Sequence, residues 1–274
     1  MTNVRLGHGI LETALVGRHT TILRAFASNP LKLLCPRRNG KVAWVYACTY
    51  GGGLVAGDAI DLDIRVGPGS GCVLGTQAST KVYKSPTGRV SHQGILAEVA
   101  EGALLVSAPD PVVCFAGSVY EQRQHFDVAD GGNLVLVDWL TSGRYARNEC
   151  WAFSHYRSCI DIFYGQRLVF QDSLMLDPKD GPLRSPYRLG RFHCLAVMVL
   201  VGAEMQQACD GLLNEVSRQP TGRQCSYVDA VSPIPHGAVF RVLGTSTESV
   251  AQTLRDKLHF LHERLGDAPW SRKW

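Results

Sequence analysis

The sequence predicts a mainly β protein, a β-solenoid or β-helix-like stack of antiparallel hairpins with a small C-terminal α/β portion carrying two helices. Two observations predict it. Val66-Gly-Pro-Gly69, Val99-Ala-Glu-Gly102 and Val128-Ala-Asp-Gly131 repeat V-x-x-G at spacings of 33 and 29 residues. Each copy closes an alternating strand and opens an apolar one, and repeats at that period signal stacked units with a shared core. Beyond Pro178 the spacing of apolar residues turns helical. An ordinary antiparallel sandwich is the alternative reading of the same turns.

Before the first repeat, strands are expected at Leu11–Val16, Thr20–Ala27, Leu31–Leu34 and Val42–Thr49. Pro30, Pro36 and Asn39-Gly40 punctuate them, the last being a hairpin turn signal. Ile60, Leu62, Ile64 and Val66 then alternate with Asp61, Asp63 and Arg65, the period of a half-buried strand with an acidic face. The apolar runs Cys72–Leu74, Leu104–Val106 and Leu134–Val137 follow the three repeats, and Gly165-Gln166 predicts a hairpin between Ser158–Tyr164 and Arg167–Phe170. Phe192–Val201 reads as a buried strand. Met205, Ala208, Cys209, Leu212, Leu213 and Val216 fall on one helical face. Short strands are expected near Ser226–Ala230 and Ala238–Leu243. The last helix opens at Thr245-Ser-Thr-Glu248 with capping-box spacing, carries Val250, Leu254, Leu258, Leu261 and Leu265, and stops at Gly266. Residues 1–178 thus form a β-rich body, and residues 179–274 a small portion packed on it as one structural unit.

Composition excludes several classes. Hydrophobic content of 45% and charged content of 19% suit an ordered chain. A net charge of +4 without a basic block argues against nucleic acid as a partner. Nine cysteines, an odd number with no C-x-x-C pair, favour reduced thiols and a cytoplasmic location. The opening MTNVRLGHGILETALVG lacks the apolar run of a signal peptide. The run Cys194–Val201 is far short of the ~20 residues that span a membrane, so no membrane association is expected.

The glycine-rich stretch around Gly51, Gly52, Gly53 and Gly57 is no phosphate loop, because Asp58 follows where Lys and Ser or Thr are required. No serine sits in a G-x-S-x-G elbow. Asp58, Asp61 and Asp63 lack the spacing of a calcium loop, and His259 with His262 supplies only two ligands. The residues therefore point away from an enzyme and toward a scaffold. Two other readings stay open: a metal-dependent hydrolase using the acidic strand with both histidines, and a solenoid adaptor unrelated to metals.

Five blocks carry a family resemblance in order. GGGLVAGDAIDLDIRVGPGSGCVLGTQASTKVYKS, PDPVVCFAGSVYEQRQHFDV, DWLTSGRYAR and YRSCIDIFYGQRLVFQDSLMLDP resemble the urease accessory protein UreD (UreH) family, the first of them holding both a GD-containing block and a T-Q-A-x-T-K block. The resemblance runs from about Gly7 to Pro178. One departure is Asn148, which stands where the family has glycine before Glu149. The resemblance implies a non-enzymatic chaperone that joins a UreF-type protein and a UreG-type GTPase on apo-urease and helps insert nickel. A homodimer within that complex is compatible with it, and no cofactor is tightly bound, nickel being transient. It also implies a water-filled internal passage. Asp58, Asp61, Asp63 and Glu149 become candidate nickel-path carboxylates, with Asp138 and Asp172 further along. Gly51, Gly52, Gly53, Gly57, Thr76, Gln77, Lys81, Tyr83 and Arg144 become candidate partner-contacting or structural residues. Nickel accepts scattered oxygen ligands weakly enough to be released, as transit requires.

Overall fold

In the computed structural model, which describes residues 6–36, 41–218, 225–266 and 270, the chain winds back and forth between two sheets. It opens with two hairpins, β1 (His8–Val16) with β2 (His19–Ala27) and β3 (Leu31–Leu34) with β4 (Ala43–Thr49). The Asn39-Gly40 turn lies outside the described residues. Then follow β5 (Ala59–Val66), β6 (Gly71–Thr76), β7 (Thr80–Val82) and β8 (Ser91–Val99). Next come β9 (Leu104–Ser107), β10 (Val112–Cys114), β11 (Val119–Val128) and β12 (Asn133–Thr141). A third hairpin joins β13 (His155–Tyr164) to β14 (Arg167–Leu176) across Gly165-Gln166.

The first sheet has the order β14-β13-β11-β8-β5-β1-β2. The second runs β12-β9-β6-β4-β3 in this part of the chain. Successive coils alternate between them, giving a solenoid-like stack of about four turns. The V-x-x-G segments are its corners. They carry the chain from β5 to β6, from β8 to β9 and from β11 to β12. The expected hairpins are therefore not formed at these turns. A corner delivers the chain to the opposite sheet, so each strand pairs in parallel with the strand one coil later: β5 with β8, β8 with β11, and β6 with β9. Parallel neighbours need such a crossover.

The corner sequence explains its geometry. Val66, Val99 and Val128 are buried, anchoring each strand end in the core. Gly69, Gly102 and Gly131 have φ of 65°, 66° and 78°, a conformation that costs little only without a Cβ. The corners also bond to one another, Ala100 N to Val66 O at 3.0 Å and Ala129 N to Val99 O at 2.8 Å.

The C-terminal segment continues the second sheet. β15 (Cys194–Val201) pairs antiparallel with β12, and β17 (Gly237–Gly244) lies between β15 and β16 (Tyr227–Ile234). Helices α1 (Gln206–Val216), α2 (Thr247–Lys257) and α3 (His262–Leu265) cover the outer face of that sheet. Two apolar layers result, one between the sheets and one under the helices. β12, buried at all nine positions, separates them, which is why it reads as a continuous apolar run. The last helix differs from expectation in two ways. Its N-cap is Ser246, whose Oγ accepts from Ser249 N at 3.1 Å, one residue later than the Thr245 reading. It also tightens into a 3-10 turn at His259–Leu261, where Leu261 N reaches Leu258 O. Leu258, Leu261 and Leu265 remain buried through that break.

The Gly102→Ala variant tests the corner. A Cβ there has room, its nearest neighbour being Gly69 Cα at 3.6 Å, so only the backbone penalty remains. The expected loss is about 1 kcal/mol in urea unfolding, with the fold intact.

Candidate functional site

A polar system crosses the core between the sheets. Alternation along β11 points Tyr120, Gln122 and Gln124 inward, and alternation along β12 points Asp138 to meet them. Gln122 Nε2 donates to Asp138 Oδ1 at 2.7 Å, and Ser158 Oγ donates to Asp138 Oδ2 at 2.9 Å. Gln122 Nε2 also lies 2.8 Å from Ser158 Oγ. The Tyr120 hydroxyl stands 3.1 Å from Gln122 Oε1 and 3.2 Å from Gln93 Oε1. Thus one carboxylate is clamped from the facing sheet. Burial pushes its pKa above the ordinary value, opposed by the bonds from Gln122 and Ser158. Burial likewise raises Tyr120 and Tyr156 well above the usual phenol range.

Beside this clamp is a cavity of about 40 Å³, lined by Ser107, Asp110, Gln122, Gln124 and Asp138 among apolar walls. That volume suits roughly three water molecules. Ser107 Oγ is buried and has no hydrogen-bond partner among the described residues. An orphaned buried hydroxyl is costly, and a polar molecule in the cavity would satisfy it. The cavity shares Thr76, Thr80 and Gln93 with a second pocket of about 120 Å³ that reaches Gly52, Gln77 and Lys81. This adjoining pocket is termed the mouth.

The mouth brings together the glycine-rich stretch and the TQASTK block. Leu54 N donates to Lys81 O at 2.8 Å and Tyr83 N to Leu54 O at 2.9 Å, laying the glycine stretch along the TQASTK strand. A Cβ on Gly53 would stand 2.6 Å from Lys81 O, so only glycine allows this approach. Gly51 and Gly52 have positive φ, and Tyr83 donates its hydroxyl to Gly51 O at 3.3 Å. Gly57, also at positive φ, leaves room for the Arg89 guanidinium. Thr76 Oγ1 accepts from Asp110 N at 2.7 Å, and Gln77 N donates to Ala47 O.

The acidic strand lies elsewhere. Ile60, Leu62 and Ile64 occupy the inner face of β5, so Asp61 and Asp63 stand on the outer face of the first sheet. Asp63 Oδ2 is 2.9 Å from His8 Nε2, and Asp61 Oδ1 is 3.8 Å from His92 Nε2. Asp58 Oδ2 accepts from Val55 N at 2.9 Å and closes a turn. These three carboxylates do not line the interior, contrary to the expectation for a passage. The period-2 pattern that exposed them also turned them away from the cavity.

Glu149 is engaged by Arg144, whose Nε donates to Oε2 at 2.9 Å and whose Nη2 donates to Oε1, while Ala116 N donates to Oε2 at 3.2 Å. The Arg144 bonds hold the Glu149 carboxyl below the usual range. Arg144 also lies 4.0 Å over the Phe115 ring. Asn148 adopts φ 58°, so asparagine takes the left-handed turn where glycine was expected. Asp172 pairs with Arg241 at 3.1 Å near the sheet edge. His259 and His262 stack at 6.2 Å under the second sheet, apart from the acidic strand on the first. Among the described residues no group of three or more His, Cys, Asp or Glu side chains is arranged to hold a metal.

Sequence reasoning missed Gln122, Gln124, Ser107 and Ser158, because single polar residues within strands carry no local signal of meeting. It also missed the approach of Cys150 Sγ to His193 Nδ1, at 3.3 Å across 43 residues. All nine cysteines are free thiols, and burial pushes Cys72, Cys114 and Cys194 up to about 12, as expected of small core side chains. No helix among the described residues is long and apolar enough to cross a membrane.

Comparison with known proteins adds a separate line. A family model described as UreD urease accessory protein matches residues 6–274. The chain is 49% identical to the urease accessory protein UreD of Sorangium cellulosum, over 98% of this chain and 85% of that protein. It is 39% identical to the UreD of an Anaeromyxobacter species, over 98% and 90% respectively. It is 36% identical to urease accessory protein D of Oryza sativa, over 96% and 94%.

The clamped carboxylate makes a pH prediction. Its folded pKa lies above the unfolded value near 3.8, so the folded state holds the proton more tightly. The group therefore destabilises the fold progressively as pH rises from about 4 through the folded pKa, and the penalty is relieved on acidification. Asp138→Asn keeps an acceptor for Gln122 and removes the charge. Its stability relative to the parent should rise across that window and level off above it, as read by urea unfolding at a series of pH values. A pH-independent difference would show that Asp138 carries no such penalty.

Proposed function

The chain belongs to the UreD family of urease accessory proteins, and from that premise we propose how it serves urease maturation. It scaffolds a UreF-type protein, and through it a UreG-type GTPase, on apo-urease in the cytoplasm. It acts as a chaperone and conduit without catalysis of its own, with nickel as transient cargo. The observation that carries the conduit reading is the interior cavity beside Asp138, entered through the TQASTK mouth.

The chemistry of the donor set supports it. Asp138, the Gln122 and Gln124 amides and Ser107 offer oxygen donors, which nickel accepts without being trapped as a thiolate cage would trap it. A neutral or ionised Asp138 also lets the site change charge as cargo passes, the proton leaving when the cation arrives. The orphaned Ser107 hydroxyl supplies a partner that only an occupant can satisfy. Asp58, Asp61, Asp63 and Glu149 stand outside such an interior route, and Asp138 takes their place.

The test is urease activation with the full set of accessory proteins. Asp138→Asn should co-purify with its partners as the parent does, yet activate urease several-fold less at limiting nickel. The gap should narrow when nickel is in excess. Equal activation at limiting nickel would remove the interior route, and loss of the complex would make Asp138 a structural residue.

A further inference from the structure

The end of the stack away from the V-x-x-G corners carries a charge pattern that the cavity does not use. Residues 142–153 and 177–193 form two loops with six basic and three acidic residues. They are fastened together. Ser142 N donates to His193 O at 2.7 Å, Trp151 N to Ser142 O at 2.6 Å, and Trp151 Nε1 to Phe192 O at 3.0 Å. The His193 ring meets Tyr145 at 4.6 Å and its Nδ1 lies 3.3 Å from both Ser142 Oγ and Cys150 Sγ. Side chains on these loops thus stand on a fixed backbone, which lowers the ordering cost of binding.

Arg147, Arg184, Arg188 and Arg191 are exposed there. None of the four forms an ion pair among the described residues; Arg188 donates to Gly181 O at 2.6 Å and Arg191 lies 5.1 Å from the Phe192 ring. Arg65, Arg123 and Arg241, by contrast, each meet a carboxylate. Two tyrosines stand among these guanidinium groups, Tyr145 at 66% and Tyr187 at 97% exposure. At the corner end, Glu12, Glu98, Asp127 and Asp130 line a broad groove together with Arg65, which pairs with Glu12 and Glu98.

We propose that this arginine–tyrosine platform docks a carboxylate-rich segment of a protein partner. Guanidinium groups bind carboxylates through paired N–H donors, and arginine with tyrosine is the composition of interface anchors. The inference rests on the maturation reading only for the existence of a partner. Glu149, the carboxylate nearest in sequence to Arg147, is bonded by Arg144, and Arg147 adds only a longer-range attraction to it.

The test is the full-length triple variant Arg147→Glu, Arg184→Glu, Arg191→Glu, which leaves every cavity residue unchanged. A labelled glutamate-rich peptide is the probe, at ionic strengths around and above about 0.15 M. The parent should bind it in a salt-dependent way, and the triple variant should bind about tenfold more weakly or not at all. The corresponding triple lysine variant keeps the charge and should retain part of the binding. In co-purification with the accessory proteins and apo-urease, the glutamate variant should lose an identified partner that Asp138→Asn keeps. Unchanged peptide binding, retention of every partner, or tighter binding of a single-stranded DNA of equal charge would each overturn the proposal while leaving the cavity reading to its own test.

Discussion

Everything in this molecule depends on coils stacking in register through the V-x-x-G corners. Because each corner delivers the chain to the opposite sheet, parallel pairing is the only partner choice left to the next strand, and register is fixed by the corner-to-corner hydrogen bonds. A slip of one residue would turn every buried side chain of a strand outward. That register also determines which polar residues face each other. Gln122 meets Asp138 because β11 and β12 sit on facing sheets one corner apart, joined through Val128 and Gly131.

The clamp has an energetic cost that packing alone would not impose. Burying one carboxylate between sheets disfavours its ionised form, and a Leu or Val in its place would close the cavity. Two hydrogen bonds offset part of that cost, without restoring the ordinary pKa. Ser107 adds a second cost by offering a hydroxyl to no one among the described residues. Both costs fall beside an open volume, where an apolar core would place neither.

How much of this was legible follows from the range of each signal. The corners were legible because valine and glycine fall at fixed offsets, and the sidedness of β5 because alternation is local. Most other strand positions were legible for the same reason, whereas the three-residue strands β7 and β10 are too short to show a period. Parallel rather than hairpin pairing was not, since the same corner sequence serves either until the destination sheet is known. The glycine and TQASTK blocks stood out as sequence, but their contact needed the Gly53 approach to Lys81. Asp138 looked like one acidic residue in an apolar run, whereas the three aspartates near β5 looked like a site. Density of charge in sequence pointed to the solvent face, and isolation pointed to the core.

The cavity and the arginine platform are linked by a continuous surface. The mouth includes Lys81 and Gly52, and Tyr83 beside them packs edge-on against Phe115 at 5.3 Å. Phe115 carries the Arg144 guanidinium, and the next residue, Tyr145, rests on His193 at the centre of the fastened loops. Tyr83, Lys84, Phe115 and Arg144 line one open groove of about 610 Å³. Arg144 sits at the joint between platform and mouth, fixed by Glu149 and stacked on an aromatic ring. Fastened loops lie at one end of this surface and the small polar volume at the other, the two features on which the docking and conduit proposals rest.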